Sequence, residues 1–273
     1  MLLLPLLIWL AVFVVAPTLI LLGYSFCRGL GLGEVQATFT WDNYRHAFEP
    51  TYVRIFARSL GYAAITTALC ALIGYPVAYF IGRSGPRLRF RLLLLLMIPF
   101  LTSFLIRAYA WFVILRENGA LNGMLESLRI IPTVLSRRLD LLYTPTAVVI
   151  GLVYTYLPFM ILPIYGSVEK LDASLIEAAS DLGAGPIRAF WRVILPLTWP
   201  GLVAGVALVF VPSIAMFAVT GLMGGGRIRL IGDEIEDQFG PAGNLPFGAA
   251  LGILLLALFL LTFLLLAGRR KGT

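Results

Sequence analysis

The sequence predicts an all-α integral membrane protein with about six transmembrane helices. Hydrophobic residues make up 60% of the 273 positions and charged residues only 13%, whereas soluble domains carry about 25% charged residues. A water-soluble fold of this length could not bury so many apolar side chains. Several stretches also approach the roughly 20 apolar residues that a helix needs to cross about 30 Å of hydrocarbon. Lipid is therefore the expected solvent for most of the chain.

The chain opens directly into the first predicted span. Residues Met1–Phe26 carry no charge, and they form a longer apolar run than the roughly 7–15 residues of a secretory signal core. We therefore expect this segment to be retained, and the missing basic lead is compatible with a start upstream of residue 1. Prolines inside the spans are tolerated because neighbouring helices can satisfy the freed backbone groups. The six predicted spans are Leu2–Tyr24, Ser59–Ile81, Leu92–Leu115, Pro145–Ser167, Gly201–Met223 and Phe247–Ala267.

Basic residues predict the orientation of the spans. Two clusters contain no acid: the loop after the second span and the tail at residues 268–273. The excess of basic residues in cytoplasmic loops places both clusters inside the cell, and with them both termini. Residues 25–58 and 116–144 then form outer loops, and residues 168–200 form a long inner loop. The clustered residues are Arg83, Arg87, Arg89, Arg91, Arg269, Arg270 and Lys271.

The long inner loop carries signals for two short helices. Asp172 or Ser174 can cap the start of the first helix, and Ser174 with Glu177 forms a capping-box pattern. Gly183 suits the left-handed position that ends this helix. A second helix is predicted from residues 186 to 196, beginning and ending at a proline. An amphipathic helix that only borders the bilayer would show similar signals.

The same loop resembles the EAA loop of permease subunits in bacterial ATP-binding-cassette (ABC) importers. The resemblance rests on Glu177-Ala178-Ala179, then Gly183, then Ile194-Leu195-Pro196. Further segments resemble the spermidine/putrescine branch of that family, which makes residues 1–55 a first span with an outer loop and 56–267 a type I permease domain. These segments are Leu105–Tyr109, Thr144–Tyr154, Leu157–Met160, Leu222–Gly225 and Leu230–Gly232.

The resemblance implies the type I ABC importer permease fold, a location in the bacterial inner membrane and a cytoplasmic coupling helix. In that family this helix sits in a groove of an ATPase subunit, which would assign coupling to Glu177, Ala178, Ala179 and Gly183. The implied partners are a second similar permease, two ATPase subunits and an external solute-binding protein. The sequence has no G-x-x-x-x-G-K-[ST] phosphate loop. ATP and Mg²⁺ are therefore expected on the ATPases, with no cofactor and no enzyme activity on this chain.

Two weaker sets of residues are candidates for contact with the solute. Arg107 is a charge inside a predicted span, where such residues usually face a cavity or a partner, although its side chain could also reach the headgroups. We group it as a pathway candidate with Ser103, Tyr154 and Tyr156. Four acids in the last outer loop could attract a cationic solute or a binding protein, or could simply be solvated. They are Asp233, Glu234, Glu236 and Asp237.

The predicted function is one half of the translocation pathway for a small cationic solute, a polyamine such as putrescine or spermidine, by alternating access. Another solute, such as an opine or an amino-acid derivative, is an alternative. A secondary transporter usually has ionisable residues at the midplane and inverted repeats, and the predicted spans contain no acid and no repeat. A nucleic-acid role is disfavoured because the basic residues lie in short runs between apolar segments. His46 is the single histidine, so no metal site is expected.

Overall fold

The computed structural model describes residues 4–31, 33–127 and 140–268, and these residues are mainly helical. Five of the described helices are long and apolar enough to cross a membrane, and a bent pair can supply a sixth crossing. The prediction of about six transmembrane helices is therefore confirmed. The long helices are Leu4–Ser25 (α1), Pro50–Arg83 (α3), Pro145–Val168 (α7), Pro186–Ile214 (α9) and Leu245–Gly268 (α12), and the bent pair is Pro86–Leu101 (α4) with Phe104–Leu115 (α5).

Short elements connect the long helices. A small antiparallel hairpin follows α1, and the other connections are short helices. The predicted basic tail beyond residue 268 lies outside the described residues, as does part of the predicted outer loop at residues 116–144. The short elements are Arg28–Gly31 (β1), Glu34–Gln36 (β2), Asp42–Ala47 (α2), Ala120–Ser127 (α6), Ala173–Asp181 (α8), Ala218–Gly224 (α10) and Ile231–Phe239 (α11).

One compact unit comprises Met1–Arg58 and Arg229–Thr273. In this unit α12 packs against α1, α2 and α11. At the end of α1 the amide of Asn43 donates hydrogen bonds to the carbonyl oxygens of Ser25 and Cys27, each at 2.8 Å. The ring of Phe26 meets Trp41 edge-on with the centroids 5.0 Å apart. These contacts fix the chain as it leaves the first span.

The other compact unit, Ser59–Ile228, is built around the pair α7 and α9. Small residues let the two helices approach closely, as is usual between helices in membranes. A Cβ atom on Gly205 would lie only 2.7 Å from the sulfur of Met160, and Gly201 lies directly against Ser167 and the carbonyl of Pro163. Met160 and Val209 are fully buried. The two helices thus form the core of this unit.

The helix that contains the second span is longer than predicted, and the helix of the third span is broken. Helix α3 begins at Pro50 instead of Ser59, so part of the predicted outer loop is helical. The predicted straight span Leu92–Leu115 is wrong, because α4 and α5 meet at a bend of 91°. At the break the Thr102 hydroxyl donates to the carbonyl oxygen of Pro99 at 2.7 Å and takes the place of a helical N–H partner. The proline itself contributes no N–H to the helix.

The fifth span also differs from the prediction. It begins at Pro186 and ends at Ile214, and the residues that follow form the separate helix α10. Pro196 does not end a short helix, because Phe190–Ile194 widen into a π turn in which the N–H of Leu195 bonds the carbonyl of Phe190. Such a turn shifts the hydrogen-bond pattern just before the proline and lets the helix continue. The predicted second inner helix is therefore the first part of the long helix α9.

Candidate functional site

The inner loop, defined here as residues 169–185, holds helix α8 between α7 and α9. Its start is capped by Asp172, whose side chain accepts a hydrogen bond from the N–H of Ser174 at 3.0 Å. The same backbone and side-chain hydrogen bonds from Ser174 lower the pKa of Asp172 below its usual value. The structure thus selects Asp172 as the cap over Ser174, and the capping-box interpretation of Ser174 with Glu177 is wrong.

The end of α8 is a glycine-dependent turn. Gly183 has a φ of +79°, as predicted, which places it in the left-handed region. Its N–H bonds the carbonyl of Ser180, and the N–H of Ala184 bonds the carbonyl of Ala179, both at 2.9 Å. This pair of bonds is the Schellman motif, which satisfies carbonyls that the helix end would leave unpaired. The turn directs the chain into Pro186 at the start of α9.

The surface of the inner loop combines a carboxylate with exposed apolar side chains. Glu177 and Ala178 are exposed, Ala179 is half-buried, and α8 has no buried residue. Leu182 is 88% exposed and Ile187, just after the loop, is 76% exposed. Large exposed apolar side chains often mark a site for another protein or a membrane. The loop is therefore shaped as a docking surface, although the coupling roles of its residues remain predictions.

The four predicted pathway residues do not converge. Arg107 and Tyr154 line one cavity of about 320 Å³ between α3, α4 and α7. Ser103 caps α5 at the helix break, and the buried Tyr156 donates its hydroxyl to the carbonyl oxygen of Pro212 at 3.1 Å. The other residues that line the cavity are Val77, Phe80, Ile81, Leu92, Leu95, Leu96, Pro99, Phe100, Leu157 and Pro158.

Arg107 brings the only charge into this cavity lining. Its Cζ atom lies 4.8 Å from the centroid of the Phe100 ring, a cation–π contact. Its Nε and Nη1 atoms are buried and have no hydrogen-bond partner among the described residues. Arg107 lies on α5, beyond the 91° bend, and not within a straight third span.

The acidic cluster lies on the short helix α11, in the predicted connection between the last two spans. Asp233 accepts a hydrogen bond from the N–H of Leu230 at 2.8 Å and caps the helix. Glu234 is buried, with its carboxylate 3.6 Å from Arg229 Nη1, and Asp237 also pairs with Arg229. Of the four acids, Glu236 alone is exposed. Most of the cluster therefore stabilises its own segment.

The structure shows two side-chain pairs on the flanks of the inner loop that the sequence did not predict. Arg89 Nη1 donates to Glu169 Oε1 at 2.7 Å, and the hydroxyls of Tyr75 and Thr198 lie 2.6 Å apart. Arg89 belongs to a basic cluster, and such a cluster predicts orientation but no partner. Tyr75 and Thr198 are far apart in the chain, and no local pattern indicates that their helices meet.

Comparison with known proteins places the chain in a family. Residues 71–269 match the family described as "Binding-protein-dependent transport system inner membrane component". The chain is 44% identical over 247 residues to the spermidine/putrescine transport system permease protein PotB of Escherichia coli strain K12, covering 90% of this chain and 88% of that protein. It is 32% identical to the inner membrane ABC transporter permease protein YdcU of the same strain, covering 83% of this chain and 76% of that protein.

A solved structure shares the fold. The chain resembles a crystal structure of a bacterial ABC transporter involved in the import of the acidic polysaccharide alginate, with a TM-score of 0.72 and 18% identity. The similarity covers 100% of this chain and 95% of that one. The type I ABC importer permease fold is therefore confirmed, and so is the family resemblance of the inner loop. This chain belongs to the family of inner membrane components of binding-protein-dependent transport systems.

Proposed function

We propose that this chain is the permease subunit of an ATP-driven importer for a polyamine, putrescine or spermidine. The observation that carries the proposal is the 44% identity to PotB of Escherichia coli over 90% of the chain. At that level of identity and coverage a shared solute class is the simplest expectation. The chain would form half of the translocation pathway and perform no covalent chemistry.

The proposed complex contains a second similar permease, two ATPase subunits and an external solute-binding protein. A related alginate transporter has been crystallised with its periplasmic protein, which supports the last of these partners. The exposed inner loop offers a docking surface for an ATPase subunit, with Glu177, Ala178, Ala179 and Gly183 at its centre. ATP and Mg²⁺ would be held by the ATPases, because this sequence lacks a phosphate-binding loop.

In the proposed cycle, ATP binding closes the two ATPases and moves the inner loops of both permeases. This movement would switch the translocation pathway between the two permeases from inward-facing to outward-facing, and release of ADP would reverse the switch. The orientation follows the basic residues at the end of α3 and the start of α4, which are expected in the cytoplasm together with both termini. The inner loop would then lie on the same side as the ATPases.

A second candidate solute is favoured by one observation. Arg107 lines an apolar cavity, and its Nε and Nη1 have no hydrogen-bond partner among the described residues. Its charge would repel a polyamine there. It would instead suit a solute with a carboxylate, such as an opine or an amino-acid derivative. A place for this cavity in the translocation pathway would favour a carboxylate-bearing solute. A cavity that faces lipid or another subunit would leave the polyamine proposal unchanged.

Uptake by right-side-out vesicles, or by cells that contain the whole transporter, tests whether the solute is a polyamine or a carboxylate-bearing compound. We expect labelled putrescine or spermidine to accumulate when ATP is present and to continue when the proton gradient is collapsed. Uptake of an opine in place of either polyamine would replace the proposed solute and keep the importer. Uptake that stops on collapse of the gradient while ATP remains would contradict the importer and favour a secondary transporter.

The exposed acid of α11 gives a prediction about delivery. We expect Glu236→Gln to raise the concentration of loaded binding protein needed for half-maximal ATPase activity by about two- to fivefold at low salt, because exposed charges steer association and contribute up to about 1 kcal/mol. The effect should vanish at high ionic strength. The buried Glu234→Gln serves as a contrast, since it should lower thermal stability instead. An unchanged requirement at low salt for Glu236→Gln would exclude delivery as the role of the cluster.

A further inference from the structure

The first flank of the inner loop is joined to α3 and α4 by Arg89. Its Nη1 donates to Glu169 Oε1 at 2.7 Å, and its Nη2 donates to the carbonyl oxygen of Gly82 at 3.0 Å. Gly82 packs so closely on α7 that a Cβ atom there would lie 2.6 Å from Cγ1 of Val168. One guanidinium therefore connects the end of α3, the start of α4 and the first residue of the inner loop.

The second flank is joined to α3 by Tyr75. Its hydroxyl lies 2.6 Å from the hydroxyl of Thr198 on α9, and both residues are buried. Thr198 donates its single proton to the carbonyl of Ile194 at 2.8 Å, so Tyr75 is the donor in the pair. The Tyr75 ring also meets Phe190 edge-on at 5.3 Å between centroids. Phe190 lies about one turn beyond the inner loop, and Thr198 lies between three and four turns beyond it.

Both attachments use one face of α3. Tyr75 and Gly82 are seven residues apart, which is two helical turns and about 10 Å along the axis. The inner half of α3 thus contacts the chain as it enters the inner loop and again as it leaves. Hydrogen bonds and ion pairs of this kind have a defined geometry, whereas apolar contacts can slide.

We propose that Arg89 and Tyr75 are positioning residues that make the inner half of α3 follow the inner loop. This inference rests on the proposed function, in which an ATPase displaces the loop. A displacement would then be conveyed to α3 at two points and to α4 through Arg89, and both helices line the cavity that contains Arg107. Without the two attachments the loop could move while the membrane helices stayed in place.

The test uses the complete transporter in liposomes and compares wild type with the double variant Arg89→Met/Tyr75→Phe. We expect ATPase activity to stay within about twofold of wild type, because the docking surface of the loop is untouched. We expect the amount of solute imported per ATP hydrolysed to fall at least about fivefold, the lower end of ordinary coupling between sites. A structural defect alone would lower both activities together and leave this ratio unchanged.

Matched controls come from neighbouring residues. Arg87 is exposed on α4, two residues before Arg89, and Tyr79 lies one turn after Tyr75 with no hydrogen bond among the described residues. Arg87→Met/Tyr79→Phe should keep the wild-type ratio. The exchange Arg89→Glu/Glu169→Arg should recover import relative to Arg89→Glu alone, because it restores an ion pair with the charges reversed.

The outcomes separate the inference from the proposed function. Suppose that the wild-type transporter imports solute with ATP and that the double variant imports as much solute per ATP hydrolysed as the control does. This result overturns the inference and leaves the proposed function intact. A parallel loss of ATPase activity, import and thermal stability in the double variant overturns it as well. Wild-type transporter that shows no ATP-dependent import overturns both.

Discussion

Glu177→Arg is expected to reduce the rate of ATP-driven import by at least about 30-fold. Glu177 is exposed on α8, on the surface that we propose to dock an ATPase. Loss of a hydrogen-bonded charge from a protein interface typically costs about 2–5 kcal/mol, and each 1.4 kcal/mol is a factor of 10. The reversed charge also adds repulsion wherever the partner supplies a cation. Import into liposomes and copurification of the ATPase measure the effect.

The control for this variant is Glu117→Arg. Glu117 is also exposed, and the substitution makes the same change of charge between α5 and α6, away from the inner loop. It should import at close to the wild-type rate. Import by Glu177→Arg at the rate of this control would remove the coupling role from the inner loop.

Gly201→Leu is expected to prevent the chain from folding into a stable permease. A Cβ atom at Gly201 would clash with the backbone oxygen of Pro163 on α7 as well as with the Ser167 side chain. Overpacking commonly costs about 1–3 kcal/mol, and here part of the obstruction is backbone that cannot rotate away. We therefore expect a loss of more than about 3 kcal/mol, which is a large part of the stability of most domains.

Thermal unfolding in detergent, followed by fluorescence, measures this loss. Gly61→Leu adds the same side chain on α3, at an exposed site where a Cβ atom meets nothing within 4 Å. It should unfold close to the wild-type temperature. A Gly201→Leu protein that unfolds together with this control would show that α7 and α9 can separate without cost.

Local chemistry predicted much of the fold and of the inner loop. Apolar length alone located the crossings, because the bilayer requires about 20 apolar residues whatever surrounds them. Gly183 was also predictable, since the left-handed turn that ends α8 depends on a residue without a Cβ atom. The alternatives at the start of α8 were left open because Asp172 and Ser174 are both good caps, and only the structure distinguishes them.

Breaks and contacts between helices were much harder to predict. Pro158 and Pro163 lie inside the continuous helix α7, whereas Pro99 precedes the 91° bend between α4 and α5. At the bend the Thr102 hydroxyl donates to the carbonyl oxygen of Pro99, a contact that the sequence did not predict. The sequence did not predict helix α11, because four acids so close together are typical of a loop. In the structure Arg229 forms ion pairs with two of these acids.

The most direct test of the account is the ATPase activity of the purified complex in nanodiscs, with and without its binding protein loaded with putrescine or spermidine. The account predicts an ATPase that copurifies with this chain and is stimulated by the loaded binding protein. Normal basal activity that neither polyamine-loaded form stimulates would discard the proposed solute. The absence of any copurifying ATPase would contradict the central claim that this chain is the permease of an ATP-driven importer.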